Sequence, residues 1–156
     1  SLRQFQIVFT APNLDGGVET FRQRIKDFVS RNAARARVFE SLGHSQYLSA
    51  LHQAVACVGN SSSGLIEAPI LGVPTLDIGS RQAGRFKPIS VLSCEARPTP
   101  IMEAIQGLLR GRLNNGTKLG LETVYGSGRT SYEIVQIIRN HHLTNSISKW
   151  SSMLVP

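Results

Sequence analysis

The chain has 156 residues, with 17 Lys and Arg against 10 Asp and Glu, a formal net charge of +7. A domain of that length buries roughly two-thirds of the surface its unfolded chain exposes; 41% hydrophobic and 17% charged residues exclude a disordered, collagenous or coiled-coil chain. No apolar run approaches the ~18 residues a membrane span requires, and the opening SLRQFQIVFTAPN lacks an apolar core followed by a small-residue cleavage site. The expectation is a cytoplasmic domain without membrane association.

The predicted elements alternate. Phe5 to Thr10 is a short β-prone run stopped by the turn signal Pro12-Asn13. From Gly17 to Ser30, Val18, Phe21, Ile25, Phe28 and Val29 recur at three- and four-residue steps, one face of an amphipathic helix. Arg37-Val38-Phe39 reads as a strand, and a helix follows with Tyr47, Leu48, Leu51 and Val55 on one side. The apolar run 54–59 predicts a strand buried on both faces. Asn60 to Gly64 leads into a short helical segment ending near Leu71, with Gly72 as its stop.

Pro74 to Ile78 and Ile89 to Leu92 read as two further strands, and helices are expected near 99–110 and 130–142. Strands alternating with helices predict an α/β fold: a Rossmann-like, three-layer parallel sheet covered on both faces. Residues 1–143 form one domain on this reading. The tail 144–156, carrying Trp150, Met153 and Leu154, is expected to be weakly ordered or to dock on a partner.

Charge is unevenly placed. Residues 1–78 hold 7 basic and 6 acidic side chains and residues 79–156 hold 10 and 4, which favours an anionic ligand for the second half. Scattered arginines and 6% aromatic residues argue against nucleic acid. Cys57 and Cys94 are too few and too far apart for a disulfide framework or a four-ligand zinc site. Neither a metal nor a cofactor is expected.

In parallel α/β sheets ligands bind at the carboxyl ends of the strands. Gly59-Asn60-Ser61-Ser62-Ser63-Gly64 falls there, and small residues, hydroxyls and free N–H groups at a helix start suit a phosphate or pyrophosphate. Such clusters are also ordinary helix caps. Glu67 fits no usual capping box with these serines, because residue 64 is glycine; an acid beside a phosphate loop can accept hydrogen bonds from ribose hydroxyls. Arg81 and Arg85, just past the strand 74–78, belong to the same edge, as anion ligands or as a solvated surface pair. His44, His52, His141 and His142 have no partner carboxylate at useful spacing and read as surface or structural groups. Gly126-Ser127-Gly128 is a weak phosphate signal, better read as a loop entering a helix. The P-loop, G-x-G-x-x-G and G-x-S-x-G patterns do not occur where a nucleotide hydrolase, dinucleotide fold or serine hydrolase needs them.

Residues 59–85, GNSSSGLIEAPILGVPTLDIGSRQAGR, resemble the signature stretch of the hydrolysing UDP-N-acetylglucosamine 2-epimerases, and TAPNLDGG (10–17) and TVYGSGRTSYEIV (123–135) resemble further blocks of that family in the same order. The resemblance implies a two-domain, glycosyltransferase-B-like enzyme of which this chain matches the carboxyl-terminal, UDP-binding half. It implies that Ser61, Ser62, Ser63, Arg81 and Arg85 face the diphosphate, that Glu67 holds the ribose, and that Tyr47, Phe39, Ser41 and Leu42 flank the uracil. Catalytic acid–base groups are expected outside this chain, which alone is then inactive. Expected partners are a UDP-sugar, an amino-terminal domain and further copies of the chain. The donor-binding half of a glycosyltransferase of the same architecture, or a non-catalytic interaction module, are the alternatives.

Overall fold

The computed structural model describes residues 2–11, 18–115 and 128–140. The turn at Pro12-Asn13, Gly126-Ser127, His141, His142 and the tail 144–156 lie outside them. The first half runs β1 (Ile7–Thr10), α1 (Val18–Arg31), β2 (Ala36–Phe39), α2 (Gly43–Gln53) and β3 (Cys57–Gly59). A single 3-10 turn (Ser62–Gly64) then leads to α3 (Glu67–Ile70), β4 (Thr75–Ile78), β5 (Val91–Cys94), α4 (Pro98–Asn115) and α5 (Thr130–Asn140). Among the described residues every strand pair is parallel, in two groups: β1 beside β2, and β3-β4-β5 with β4 central. This is the Rossmann-like α/β order that the alternating pattern predicts.

α1 lies on β2, with Ile25 and Ala36 buried and the Phe28 ring edge-on to Phe9 at 5.7 Å between centroids, a pair contributing about 0.5–1.5 kcal/mol beyond its burial. Phe21, on the predicted apolar face, is exposed instead. The second core gathers Leu51 of α2, Ala68 of α3 and Val73, with Tyr47, Ala54, Cys57 and Leu71 packed around them. α4 packs on β4 and β5.

Three expectations are corrected. The apolar run 54–59 is not a strand buried on both faces: only Cys57–Gly59 pairs, Val58 is 48% exposed, and Ala54 is the carboxyl cap of α2, facing the Leu51 cluster. Val55 consequently lies beyond α2. The most buried strand is β4, where Thr75, Leu76 and Asp77 are all enclosed. The last strand begins two residues later than expected, because pairing of Thr75 with Val91 sets its register and leaves Ile89 83% exposed.

The helical segment after the serines is also broken in two. A continuous helix from Ser62 would press the Pro69 ring onto the Leu65 carbonyl and lose that hydrogen bond. Opening α3 at Glu67 puts Pro69 in its first turn, where proline is tolerated. α3 ends as predicted. Gly72 takes φ +68°, its N–H donates to the Pro69 carbonyl, and Val73 N–H donates to the Ala68 carbonyl. That is a Schellman closure, sealed by the Ala68–Val73 contact.

Candidate functional site

The carboxyl ends of β3 and β4 bring together two loops, residues 60–66 and 79–90. Ser61 has extended backbone and its Oγ accepts from Ser63 N–H at 3.3 Å, so the capping role holds for this serine, on the 3-10 turn. The N–H groups of Gly64, Leu65 and Ile66 are spent on the carbonyls of Ser61 and Ser62. Among the described residues the N–H groups of Ser61 and Ser62 meet no acceptor, and they remain available to a ligand. Gly64 itself is buried, and a Cβ there would stand 2.7 Å from Thr75 Cγ2. The loop can therefore lie against β4 only with glycine at this position.

The second loop is tied to the first. Gln82 Nε2 donates to the Asn60 carbonyl at 2.7 Å, and Arg81 Nη1 reaches the same oxygen at 3.4 Å. The guanidinium thus sits on the serine loop's edge, as expected from its position after β4. Arg85 ends the same turn, exposed to solvent.

Glu67 opens α3 one turn beyond Ser63 and is half-buried, with Oε2 enclosed and lacking a hydrogen-bond partner. An enclosed polar atom left unpaired costs about 1–3 kcal/mol, more when charged, so this oxygen calls for a donor. Its charge is felt nearby. The Tyr47 phenol is pushed above its ordinary value mainly by burial, opposed by its bond to Ser63, with Cys57 and Glu67 adding to the rise. Burial likewise raises the Cys57 thiol, with Glu67 contributing. Tyr47 OH and Ser63 Oγ lie 2.6 Å apart, joining α2 to the serine loop.

The loop after β2 leads directly into α2. Phe39 is partly exposed at the end of β2, Ser41 Oγ accepts from Gly43 N–H at 3.2 Å, and Leu42 is the amino-terminal cap residue of α2. These three stand at the carboxyl end of β2, as the serine loop stands at that of β3. His44 and His52 are exposed on α2, as surface groups. Beside β1 and β2 a shallow cleft with room for little more than a water molecule is lined by Ala11, Arg22, Ile25, Lys26, Val38 and Glu40, with Arg22 paired to Glu40 at 3.5 Å.

Sequence reasoning missed two groups. Gln82 is nearly fully buried and clamps the two loops; nothing in its neighbours marks it in the sequence. Asp77 is 0% exposed on β4, with Lys87 Nζ 2.8 Å from Oδ2 and that ammonium also donating to Ser93 Oγ at 2.7 Å. A lone carboxylate inside Pro-Thr-Leu-Asp-Ile is a legible signal, because a buried charge requires a partner.

Comparison with known proteins identifies the family of the chain. The UDP-N-acetylglucosamine 2-epimerase family model matches residues 1–139. The chain is 33% identical over 95 residues to the GDP/UDP-N,N'-diacetylbacillosamine 2-epimerase (hydrolyzing) of Campylobacter jejuni, which covers 61% of this chain and 25% of that protein. It is 35% identical over 100 residues to the UDP-N-acetylglucosamine 2-epimerase of Neisseria meningitidis, covering 64% and 26%. It is 27% identical over 142 residues to the UDP-N,N'-diacetylbacillosamine 2-epimerase (hydrolyzing) of Legionella pneumophila, covering 91% and 36%. The matched region is thus between a quarter and a little over a third of each relative's length. By its family match over nearly all of its length, the chain belongs to the UDP-N-acetylglucosamine 2-epimerase family.

Proposed function

We propose that this chain is the UDP-binding half of a hydrolysing 2-epimerase that converts UDP-N-acetylglucosamine, or a closely related N-acetylated UDP-sugar, into the 2-epimeric free sugar and UDP. The reading rests chiefly on one observation: the enclosed, unpartnered Oε2 of Glu67, one turn beyond a serine loop with open N–H groups. Two ribose hydroxyls would supply the donors Glu67 lacks. Ser61 and Ser62 N–H, the serine hydroxyls and the Arg81 guanidinium would take the diphosphate, with Arg85 at the rim. The Tyr47 ring, Phe39 and the Ser41-Leu42 backbone would flank the uracil.

In the proposed reaction a base removes the C2 proton as the C1–O bond breaks, and the bonding pair leaves on the diphosphate. Water then adds across the resulting double bond, its hydroxyl to C1 and a proton to the opposite face of C2. Donors aimed at the leaving diphosphate stabilise charge as it develops and need no reorganisation at that moment. The proton-transfer groups would belong to an amino-terminal domain that closes the cleft and orients the sugar.

Calorimetric titration of the full-length protein with UDP, ADP and GDP tests this. UDP should bind selectively, and Glu67→Ala should weaken it at least about tenfold, since bonds to a charged acceptor contribute about 1.5–3 kcal/mol. Equal affinity for the three nucleotides, or unchanged affinity in Glu67→Ala, would overturn the reading.

A further inference from the structure

We infer that Tyr47 is a positioning residue of the diphosphate site, its phenol holding the Ser63 hydroxyl so that the serine proton points to a phosphate oxygen. The inference rests on the UDP site proposed above and gives the Tyr47 hydroxyl a task separate from that of its ring. Two residues sixteen apart in sequence, one on α2 and one on the serine loop, meet in this bond of 2.6 Å.

Both ends are fixed before any ligand arrives. Tyr47 lies one helical turn before Leu51, on the same face of α2, and packs against the Leu51, Ala68 and Val73 cluster. The Ser63 main chain is held by its N–H bond to Ser61 Oγ. Only the Ser63 hydroxyl torsion is left to set, and the phenol sets it.

The direction of the bond follows from acidity. A phenol is the stronger donor, a serine hydroxyl the better acceptor, and each carries one proton. Burial and the Glu67 carboxylate keep the phenol protonated well past neutrality. With Tyr47 donating to Ser63 Oγ, the serine proton is uncommitted and can be given to an anion. A run of O–H donors ending on a charged acceptor is strengthened along its length. The same serine without the phenol would sample three rotamers and lose that preorganisation.

The test uses Tyr47→Phe, which keeps the ring and its packing and removes only the phenol, together with Ser63→Ala and the double variant. UDP affinity is measured by calorimetry and uridine affinity by ligand-observed NMR, with melting midpoints as the check on folding. Tyr47→Phe should weaken UDP about five- to tenfold, leave uridine within about twofold, and add nothing in the Ser63→Ala background. Equal loss for UDP and uridine would mean a base-contact or folding role and overturn the inference. So would unchanged UDP affinity in Tyr47→Phe, or losses that multiply in the double variant. Wild-type protein that binds neither ligand would instead overturn the UDP reading itself, a result visible before any variant is made.

Discussion

Replacing Gly64 by alanine would put a Cβ 2.7 Å from Thr75 Cγ2, with Thr75 Oγ1 and Cβ at 3.6 and 3.7 Å. Carbon atoms pack comfortably at about 3.5–4.0 Å, so roughly 1 Å of relief is needed. Thr75 cannot supply it. It is 2% exposed on the central strand, paired on both sides, and its N–H is bound to the Ser90 carbonyl at 2.9 Å. The 3-10 turn must move instead, taking Ser62 and Ser63 with it. Overpacking of this kind costs about 1–3 kcal/mol, or about 2–12 °C in melting temperature for a chain of this size.

Urea unfolding should report the Gly64→Ala loss as a lower midpoint at unchanged slope. Thr75→Ser is the partner variant, because it deletes Cγ2. Alone it should cost about 1 kcal/mol for the lost buried methyl; combined with Gly64→Ala it should recover most of the overpacking loss, a coupling of about 1 kcal/mol or more. Gly64→Ala within about 0.5 kcal/mol of wild type would refute the steric reasoning, and so would simple addition of the two single losses.

Lys87→Met strands the Asp77 carboxylate inside the sheet and should destabilise the fold by about 3–5 kcal/mol in urea melts, with Asp77→Asn restoring much of it; equal losses in the single and double variants would mean that the ion pair is not the cause. The pH dependence has a definite sign. The fold holds Cys57 and Tyr47 in their neutral forms, with values raised above 9.0 and 10.0, so the associated stability is intact below about pH 9 and is lost as pH rises through the raised values. Tyr47→Phe should flatten the decline above pH 10, and an alkaline limb identical to wild type would contradict this.

Much of the fold was legible because periodicity and burial coincide. In α1 and β2 the predicted bounds fall within a residue of those observed, because Ile25 and Ala36 are apolar for one reason, the packing of helix on strand that buries both, although Phe21 of the same periodic face stays exposed. Where an apolar run served two elements, the reading failed: in 54–59, Ala54 caps α2 and Cys57 begins β3, so one hydrophobic stretch straddles a helix end and a strand. The break between the serines and α3 was legible in Pro69 and went unread. The onset of β5 was not legible, since its register is set by Thr75 across the sheet rather than by the intrinsic preference of Ile89-Ser90. For the site, the alignment of serine loop, Glu67 and Arg81 on one edge follows from strand order alone. The Gln82 and Lys87 clamps do not, because each joins residues whose proximity exists only after folding.

Those clamps bear on how the proposed reaction is divided. The loops at the ends of β3 and β4 are held less by helix or strand than by long-range polar ties: Gln82 and Arg81 on the Asn60 carbonyl, Tyr47 on Ser63, Lys87 on Asp77. A site that stabilises a leaving diphosphate needs this rigidity, since donors that must first reorient lose much of their effect. A site that removes and returns a proton needs a different property, an uncommitted base near the sugar. At the carboxyl ends of the strands the described carboxylates have other partners: Asp77 faces Lys87, Glu95 faces Arg97, Glu40 faces Arg22, and Glu67 is the one proposed to hold the ribose. On the proposed function this edge would grip the leaving group and leave exchange of the C2 proton to other groups. Glu67→Ala in the full-length enzyme should accordingly raise the UDP-sugar KM more than it lowers kcat. Solvent-deuterium incorporation at C2 should persist at saturating substrate, and a loss of exchange matching the loss of binding would assign Glu67 to the proton transfer instead.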